Sequence, residues 1–293
     1  MPLIGTGETV AAAVAAGHAA AAFNVIQLEH AEAIIAGAEA AGAPVILQIS
    51  ENAVRYHGAL APLARAALAA GERAGTAVSV HLDHVTEPAL VEEALHLGVH
   101  SVMFDASTLG YAENVKATAE VVARCHDAGV WVEAELGEVG GKDGVHAPGV
   151  RTDPAEAAAY TAATGVDALA VAVGTSHAML TRDAALDHAL IAALREAVPV
   201  PLVLHGSSGV SDDGLTEAVR HGMTKINIST HLNNAFTTAV RDHLAAHPAV
   251  VDPRKYLGAG RHAVATEVTR LLGILRPGPD GPGPNGPRPD GTD

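Results

Sequence analysis

Cysteine is nearly absent: Cys125 is the only one in 293 residues, so no disulfide can form within the chain. A single thiol fits a reducing compartment. Aromatic residues make up only 3%, and alanine fills the apolar positions of the helical stretches instead. Positive charge is also short. Lys and Arg total 18 against 33 Asp and Glu, a formal charge of −15. That balance argues against nucleic acid as a partner, because a phosphate backbone demands clustered Lys and Arg. Only four lysines occur: Lys116, Lys142, Lys225 and Lys255. Long apolar runs are missing too; the Ala-rich stretch after Val10 is broken by Gly17 and His18, which leaves no membrane span. No basic n-region lies between Met1 and Glu8, so the reading expects no signal peptide and a cytoplasmic location. What is present is a 48% hydrophobic composition, ample for a core and incompatible with wholesale disorder.

One break in composition stands out. Residues 276–293 read RPGPDGPGPNGPRPDGTD, with almost nothing apolar to dock, and the expectation is a disordered tail. The preceding 275 residues are read as one domain. They repeat a pattern of short β-rich run, turn and Ala/Leu-rich helical segment. Candidate strands fall at 21–26, 45–50, 78–83, 101–105, 130–135, 168–173, 202–205 and 225–228. Helical segments at 31–41, 60–74, 88–97, 112–128, 154–164, 184–197 and 212–221 lie between them. Eight such units predict a (β/α)8 TIM barrel of α/β class with a helical extension at its C-terminal end. Parallel strands buried on both faces account for runs such as VILQIS and LAVAV. No Gly-rich dinucleotide fingerprint follows the first strand, which disfavours a doubly wound sheet. Asp153-Pro154 caps one helix start, and Gly42, Gly98, Gly129, Gly165 and Gly222 close helical runs just before strands.

In such a barrel, chemistry sits at the C-terminal ends of the strands. Those positions hold Asn24, Ser50, Asp83 with His84, Asp105, Glu135, His177 in GTSH, His205 in LHGSSG and Asn227 in NIST. His84, His177 and His205 could converge on one ion as neutral imidazoles, leaving an open coordination position as in a catalytic zinc site. Asp83 could serve as acid/base beside the ion. Asp105 and Glu135 could orient the ligands or act as alternative ligands. His81 precedes the strand end, so core packing and an orienting role stand level for it. His96, His188, His221 and His247 fall in helical stretches and read as solvated. GSSG after strand seven and NIST after strand eight mark the corner where barrels often hold phosphate on backbone N–H groups and a helix N-terminus. A metal beside a phosphate cradle points to a phosphorylated ketone whose carbonyl the metal polarises.

These residues sit in a set of motifs: AFNV at 22–25, HLDH at 81–84, SVMFDAS at 101–107, ENV at 113–115, VEAELGEVGG at 132–141, GTSH at 174–177, PLVLHGSSG at 201–209, TKINIST at 224–230 and DPRKYLG at 252–258. In this order and spacing the chain resembles the class II, zinc-dependent fructose-bisphosphate and tagatose-bisphosphate aldolases over residues 1–275. The resemblance implies His84, His177 and His205 as zinc ligands. It makes Asp83 the catalytic aspartate at the oxygen that becomes the C4 hydroxyl, and it places Asp105 and Glu135 near the zinc and its alternative position. Asn24 matches an active-site asparagine and Ser50 a substrate-contacting serine. Gly206, Ser208, Asn227, Ser229 and Thr230 match a dihydroxyacetone-phosphate cradle that also holds a monovalent cation, Na+ or K+. Arg254 matches an arginine that reaches the second phosphate in a neighbouring subunit, which implies a homodimer or homotetramer.

Three stretches depart from the family pattern. Ala178 stands where a glycine usually follows the second zinc histidine, and the run there reads HAML. The loop after Gly141 reads KDGVHAPG, without the glutamate that takes the C3 proton, which leaves Asp143 or Glu138 as candidates. After Ser107 the chain reads TLGY in place of a histidine and a Pro-Phe pair. The reaction expected is cleavage of fructose 1,6-bisphosphate to dihydroxyacetone phosphate and glyceraldehyde 3-phosphate. The alternatives are another phosphorylated ketose such as tagatose bisphosphate, a Schiff-base aldolase using Lys225, and a zinc-binding barrel without turnover.

Overall fold

A computed structural model describes residues 3–136, 151–175, 181–182 and 184–278. Eight parallel strands close into a barrel in sequence order: β1 Ala20–Asn24, β2 Val45–Ser50, β3 Val78–Val85, β4 Ser101–Phe104, β5 Trp131–Glu135, β6 Ala168–Ala170, β7 Leu202–Leu204 and β8 Met223–Ile228. The closing pair is β1 with β8, Ala22 opposite Asn227. The helices are α1 Thr6–Ala15, α2 Leu28–Ala41, α3 Glu51–His57, α4 Ala61–Glu72, α5 Pro88–Leu97, α6 Tyr111–Asp127, α7 Pro154–Thr164, α8 His188–Ala197, α9 Asp212–His221, α10 Thr230–Ala246 and α11 Pro253–Ile274. The expected (β/α)8 barrel is therefore the fold observed, with α10 and α11 as its C-terminal helical extension. The expected tail lies, beyond residue 278, outside the described residues. Arg276 is still docked, its guanidinium donating to the carbonyls of Ala41 and Gly42.

The strands divide their side chains by the twofold period of a β-strand. Leu47 and Ile49 on β2, Val80 and Leu82 on β3, and Val132 and Ala134 on β5 point outward into the main core under the helices. The alternate positions face the barrel interior. Near the base these are apolar: Ala20, Ala22 and Ile46 pack against Val10 of α1, which plugs that end, and Met103, Ala168, Ala170 and Val203 form a second cluster. Higher up, the interior turns polar. Gln48, His81, Glu133 and Lys225 are all essentially inaccessible to solvent there.

Two helix boundaries show how local sequence dictates the framework. Asp153 accepts from the backbone N–H groups of Ala155 and Glu156, both at 2.9 Å, and Pro154 opens α7. Gly42 ends α2 with φ +58°, a left-handed conformation that an L side chain would strain. Cys125 is buried in α6, and burial pushes its thiol up to about 11, so it offers no nucleophile.

The longest contact runs between α2 and α11. The pairs Glu32–Arg261, Gly37–Val268 and Ala41–Arg276 follow one another in the same order, so the two helices lie parallel. α11 has 22 residues against 14 in α2. It pairs back against α10 through Phe236 and Gly260, and the hairpin tip carrying Arg254 extends past the start of α2. Gly37 permits the close approach: a Cβ there would come within 2.5 Å of the Ala265 carbonyl oxygen. Gly273, also in α11, faces open space. Gly37→Ala should therefore cost about 1–3 kcal/mol of stability, while Gly273→Ala should be neutral or slightly stabilising; thermal unfolding of the two variants side by side checks this.

His30 of α2 supplies a pH dependence. Its ring stacks on Phe236 with centroids 5.1 Å apart, and neither ring nitrogen has a hydrogen-bond partner. Burial lowers its pKa to about 4. The folded state thus disfavours the charged form, and stability present above pH ~6.5 is lost as pH falls towards 4. The loss from this group is on the order of 3 kcal/mol. His30→Phe should flatten that part of a stability-against-pH curve measured by denaturant titration.

Candidate active site

A regular strand cannot present two consecutive side chains to one face. Asp83 and His84 nevertheless both reach the mouth of the barrel, and the backbone explains how. The register between β3 and β4 shifts between Leu82 and Val85, and His84 takes φ +52°, the only non-glycine positive φ among the described residues. This bulge re-aims His84 towards the interior beside Asp83. Glu51, at the start of α3, pins the end of the bulge by accepting from the Thr86 N–H at 2.6 Å and from its hydroxyl.

His84 and His205 then meet across the mouth. His84 Nε2 lies 2.9 Å from His205 Nδ1, and an Asp83 carboxylate oxygen lies 3.9 Å from the same His84 nitrogen. Each ring's far nitrogen is held by a carboxylate. Asp105 Oδ2 is 3.0 Å from His84 Nδ1, and Glu133 Oε1 is 2.9 Å from His205 Nε2. Asp105 is itself fixed by Ser107, whose hydroxyl donates to Oδ1 at 2.6 Å. Thr175, in the GTSH run, donates to the His205 carbonyl at 2.6 Å.

Two overlapping groups could hold an ion: Asp83, His84 and His205, and His84, Asp105 and Glu135, with ligand atoms within 4.8 Å of one another in each. Imidazole nitrogens facing one another, each backed by a carboxylate, fit a divalent cation of the zinc type and not calcium or magnesium, which prefer oxygen. His177, the third expected ligand, lies outside the described residues, as do Glu138 and Asp143.

Beneath the mouth, a buried polar layer links six strands, β1 to β5 and β8, with His205 just past β7. Lys225 Nζ donates to Glu133 Oε2 and to Asn227 Oδ1, both at 2.8 Å, and lies 3.4 Å from Gln48 Oε1. Gln48 donates to Asn24 Oδ1 at 3.0 Å, and Asn227 Nδ2 is 3.1 Å from His205 Nε2. His81 lies 2.6 Å from the Ser101 hydroxyl and 4.0 Å from Glu133. Burial, with Lys225 adding to it, holds His81 well below its ordinary pKa, so it stays neutral. Burial alone would raise the Glu133 carboxyl, but the Lys225 ammonium and the His205 hydrogen bond outweigh it and hold the group well below the usual carboxylate range. With its ammonium engaged by a carboxylate and two amide oxygens, and no exposed surface, Lys225 is placed as a structural cation and not as a Schiff-base nucleophile.

The GSSG and NIST runs meet at the β7/β8 corner. Gly206 has φ +66°, and Ser207–Gly209 form a single 3-10 turn. The Ser208 hydroxyl accepts from the N–H groups of Ser229 and His231, at 3.4 and 3.3 Å, at the start of the 17-residue α10. Ser207 bonds the Asn227 carbonyl. Thr230 opens the helix and is half-buried. The positive end of the α10 dipole therefore lies at this corner.

The chain can now be set beside known proteins. The fructose-bisphosphate aldolase class-II family profile matches residues 5–277. The chain belongs to the class II fructose-bisphosphate aldolase family. The YdjI aldolase from Escherichia coli K12 is 31% identical, with a TM-score of 0.83 over 93% of this chain and 97% of that one. A provisionally named fructose-1,6-biphosphate aldolase from Coccidioides immitis is 29% identical, covering 92% of this chain and 96% of its own, TM-score 0.81. The fold, at 21% identity and TM-score 0.80 over 93% of this chain and 94% of the other, is also that of fructose-bisphosphate aldolase from Campylobacter jejuni.

Within this aldolase barrel, Asp83, His84 and His205 form one group and His84, Asp105 and Glu135 a second that overlaps it; Gly206, Ser208, Ser229 and Thr230 share the adjoining corner, and the Asn227 side chain lies in the buried layer. Asn24 joins through Gln48. Ser50 is spoken for locally, its hydroxyl accepting from Ala53 N–H as the cap of α3. Arg254 is not brought to the mouth in a single chain: it is exposed, and its guanidinium grips Asp252 at the start of α11. Glu133, Gln48, Glu51 and Asn114 escaped the strand-end reading because none is at a strand end. Asn114, from the ENV run, donates to the Glu135 carbonyl at 3.3 Å and accepts from the Tyr160 hydroxyl at 2.7 Å. Glu51→Ala should lower stability by about 1–2 kcal/mol and weaken divalent-metal binding, because the bulge at His84 loses its anchor; calorimetry and chelator competition on one sample read both.

Proposed function

We propose that this class II aldolase cleaves fructose 1,6-bisphosphate reversibly to dihydroxyacetone phosphate and glyceraldehyde 3-phosphate, with Zn2+ as its metal. The observation that carries the reading is the facing pair of ring nitrogens on His84 and His205 beside the Asp83 carboxylate. His177 completes the ligand set in this reading. A bound divalent cation supplies Lewis-acid stabilisation of the negative charge that develops on the ketone oxygen. All other steps belong to side chains and amides of the protein. The C1 phosphate sits on the amides of Ser229 and Thr230 with Gly206 and Ser208, and Asn227 faces the dihydroxyacetone end; a Na+ or K+ ion is compatible with this corner. Ser50 and Asn24 line the approach from the first two strands.

In the cleavage direction Asp83 takes the proton of the C4 hydroxyl as the C3–C4 bond breaks. The C4 oxygen becomes the aldehyde carbonyl, and the bonding pair passes to C3, conjugated with the C2 carbonyl. Protonation at C3 completes dihydroxyacetone phosphate, and Asp143 or Glu138 is the acid in this account. Asp105 and Glu135 hold the ligand cluster and offer alternative ligation. Arg254, on the tip of the α10–α11 hairpin, reaches the second phosphate of a neighbouring subunit in a homodimer or homotetramer. No described helix is long and apolar enough to cross a membrane. Another phosphorylated ketose, tagatose 1,6-bisphosphate among them, is favoured instead by one feature: Ala178 adds a methyl group beside the expected phosphate corner.

Coupled assays on fructose and tagatose 1,6-bisphosphates, with EDTA and with zinc restored, test the proposal. Cleavage of fructose 1,6-bisphosphate that EDTA abolishes and zinc restores is the expected result. Failure to cleave it, by zinc-loaded protein, would overturn the reading. Asp83→Ala should lower kcat by about 10²–10⁴-fold while zinc content, measured by elemental analysis, stays at the wild-type stoichiometry.

A further inference from the structure

The charged layer under the mouth is a strange thing to place inside a barrel. Interior positions of such barrels are filled mainly by bulky branched residues, and a buried charge that loses its partner is costly. Here Glu133 on β5 and Lys225 on β8 are both 0% exposed and lie 2.8 Å apart. The pair is also aimed. One Glu133 oxygen meets the ammonium, and the other meets His205 Nε2 at 2.9 Å. Lys225 then holds Asn227 Oδ1 at 2.8 Å, and the Asn227 amide nitrogen returns to the same His205 nitrogen at 3.1 Å. With its Nε2 proton given to Glu133, His205 turns Nδ1 towards His84 Nε2, 2.9 Å away.

We infer that Glu133, locked by Lys225, is a positioning residue that commits His205 to ligate through Nδ1 and fixes the plane of its ring. The inference rests on the metal-dependent reading above but concerns residues that reading does not use. The mechanism is geometric. Rotating the imidazole would pull Nε2 away from a carboxylate that cannot follow, because its second oxygen is tied to the buried ammonium. Asp105 does the same for His84 from outside the barrel axis, and Ser107 locks it in turn. The two histidines are therefore each held at the far nitrogen by a carboxylate that is itself held. Lys225 acts through Glu133 and touches no reacting atom.

The test uses the full-length protein and reads metal binding, not turnover alone. Three variants serve: Glu133→Gln, Lys225→Met, and the double variant Glu133→Leu/Lys225→Met, which removes both charges together and avoids an unpaired buried ion. Zinc affinity is measured by chelator competition, and ligand geometry by the visible spectrum of the cobalt-substituted protein. The expected result is a loss of zinc affinity of about 10–100-fold in Glu133→Gln and in the double variant, with altered cobalt bands and unchanged circular dichroism. Lys225→Met should follow Glu133→Gln in its cobalt spectrum. A folded double variant with zinc affinity within about twofold of wild type and the same spectrum would overturn the inference. If the double variant does not fold, an unchanged Glu133→Gln overturns it equally. A wild-type protein that binds no zinc would sink the metal reading and this inference with it. Zinc-dependent cleavage by wild type, with unaltered variants, would sink the inference alone.

Discussion

Closure of eight parallel strands admits only every second side chain to the barrel interior, and the site is built from the choice of those side chains. At the base they are small or apolar, so the plug of α1 can pack against them. In the middle they carry charge, and each charge is answered by a neighbour on another strand. Glu133 and Lys225 could not remain buried singly, since an uncompensated ion in that setting costs several kcal/mol. Together, with Gln48, Asn227 and His205, they satisfy one another. A buried ion pair is weak evidence for stability, because apolar residues of similar size commonly do as well. What the pair does supply is direction, and that direction reaches the mouth.

The mouth works by local fields against an unfavourable background. The chain carries a formal charge of −15, which repels a phosphorylated substrate at long range. Attraction must come from fixed dipoles at short range. The start of α10, beside the left-handed Gly206, carries such a dipole. The paired ring nitrogens, backed by carboxylates, could hold a cation beside Asp83.

Much of this could be read in the sequence. All eight strands were visible as apolar runs, because both faces of a parallel strand are buried. Asp83, His84 and His205 stood at the ends of such runs, where barrel chemistry lies. Less visible was the way Asp83 and His84 share one face. That requires a bulge and a positive φ at a histidine, which no spacing rule announces. Glu133 was hidden for the opposite reason. It sits two residues before Glu135, on the same inward face, so VEAE alternates as any half-polar strand does. The signal that could have found it was a lysine in the middle of the KINI strand, since a buried Lys225 demands a buried carboxylate at the same height. Ser50 doubles as a helix cap, and only the structure could say so. Arg254 is exposed on the α10–α11 hairpin, and its guanidinium pairs with Asp252.

In the proposed site, His84, His177 and His205 converge on one cation at the barrel mouth. Crystals of the zinc-loaded protein, with diffraction data collected on both sides of the zinc absorption edge, test this most directly. The expected result is one strong anomalous peak at about 2.0–2.1 Å from His84 Nε2 and from His205 Nδ1, with His177 as the third ligand. A peak elsewhere, or ligation of His205 through Nε2, would contradict it.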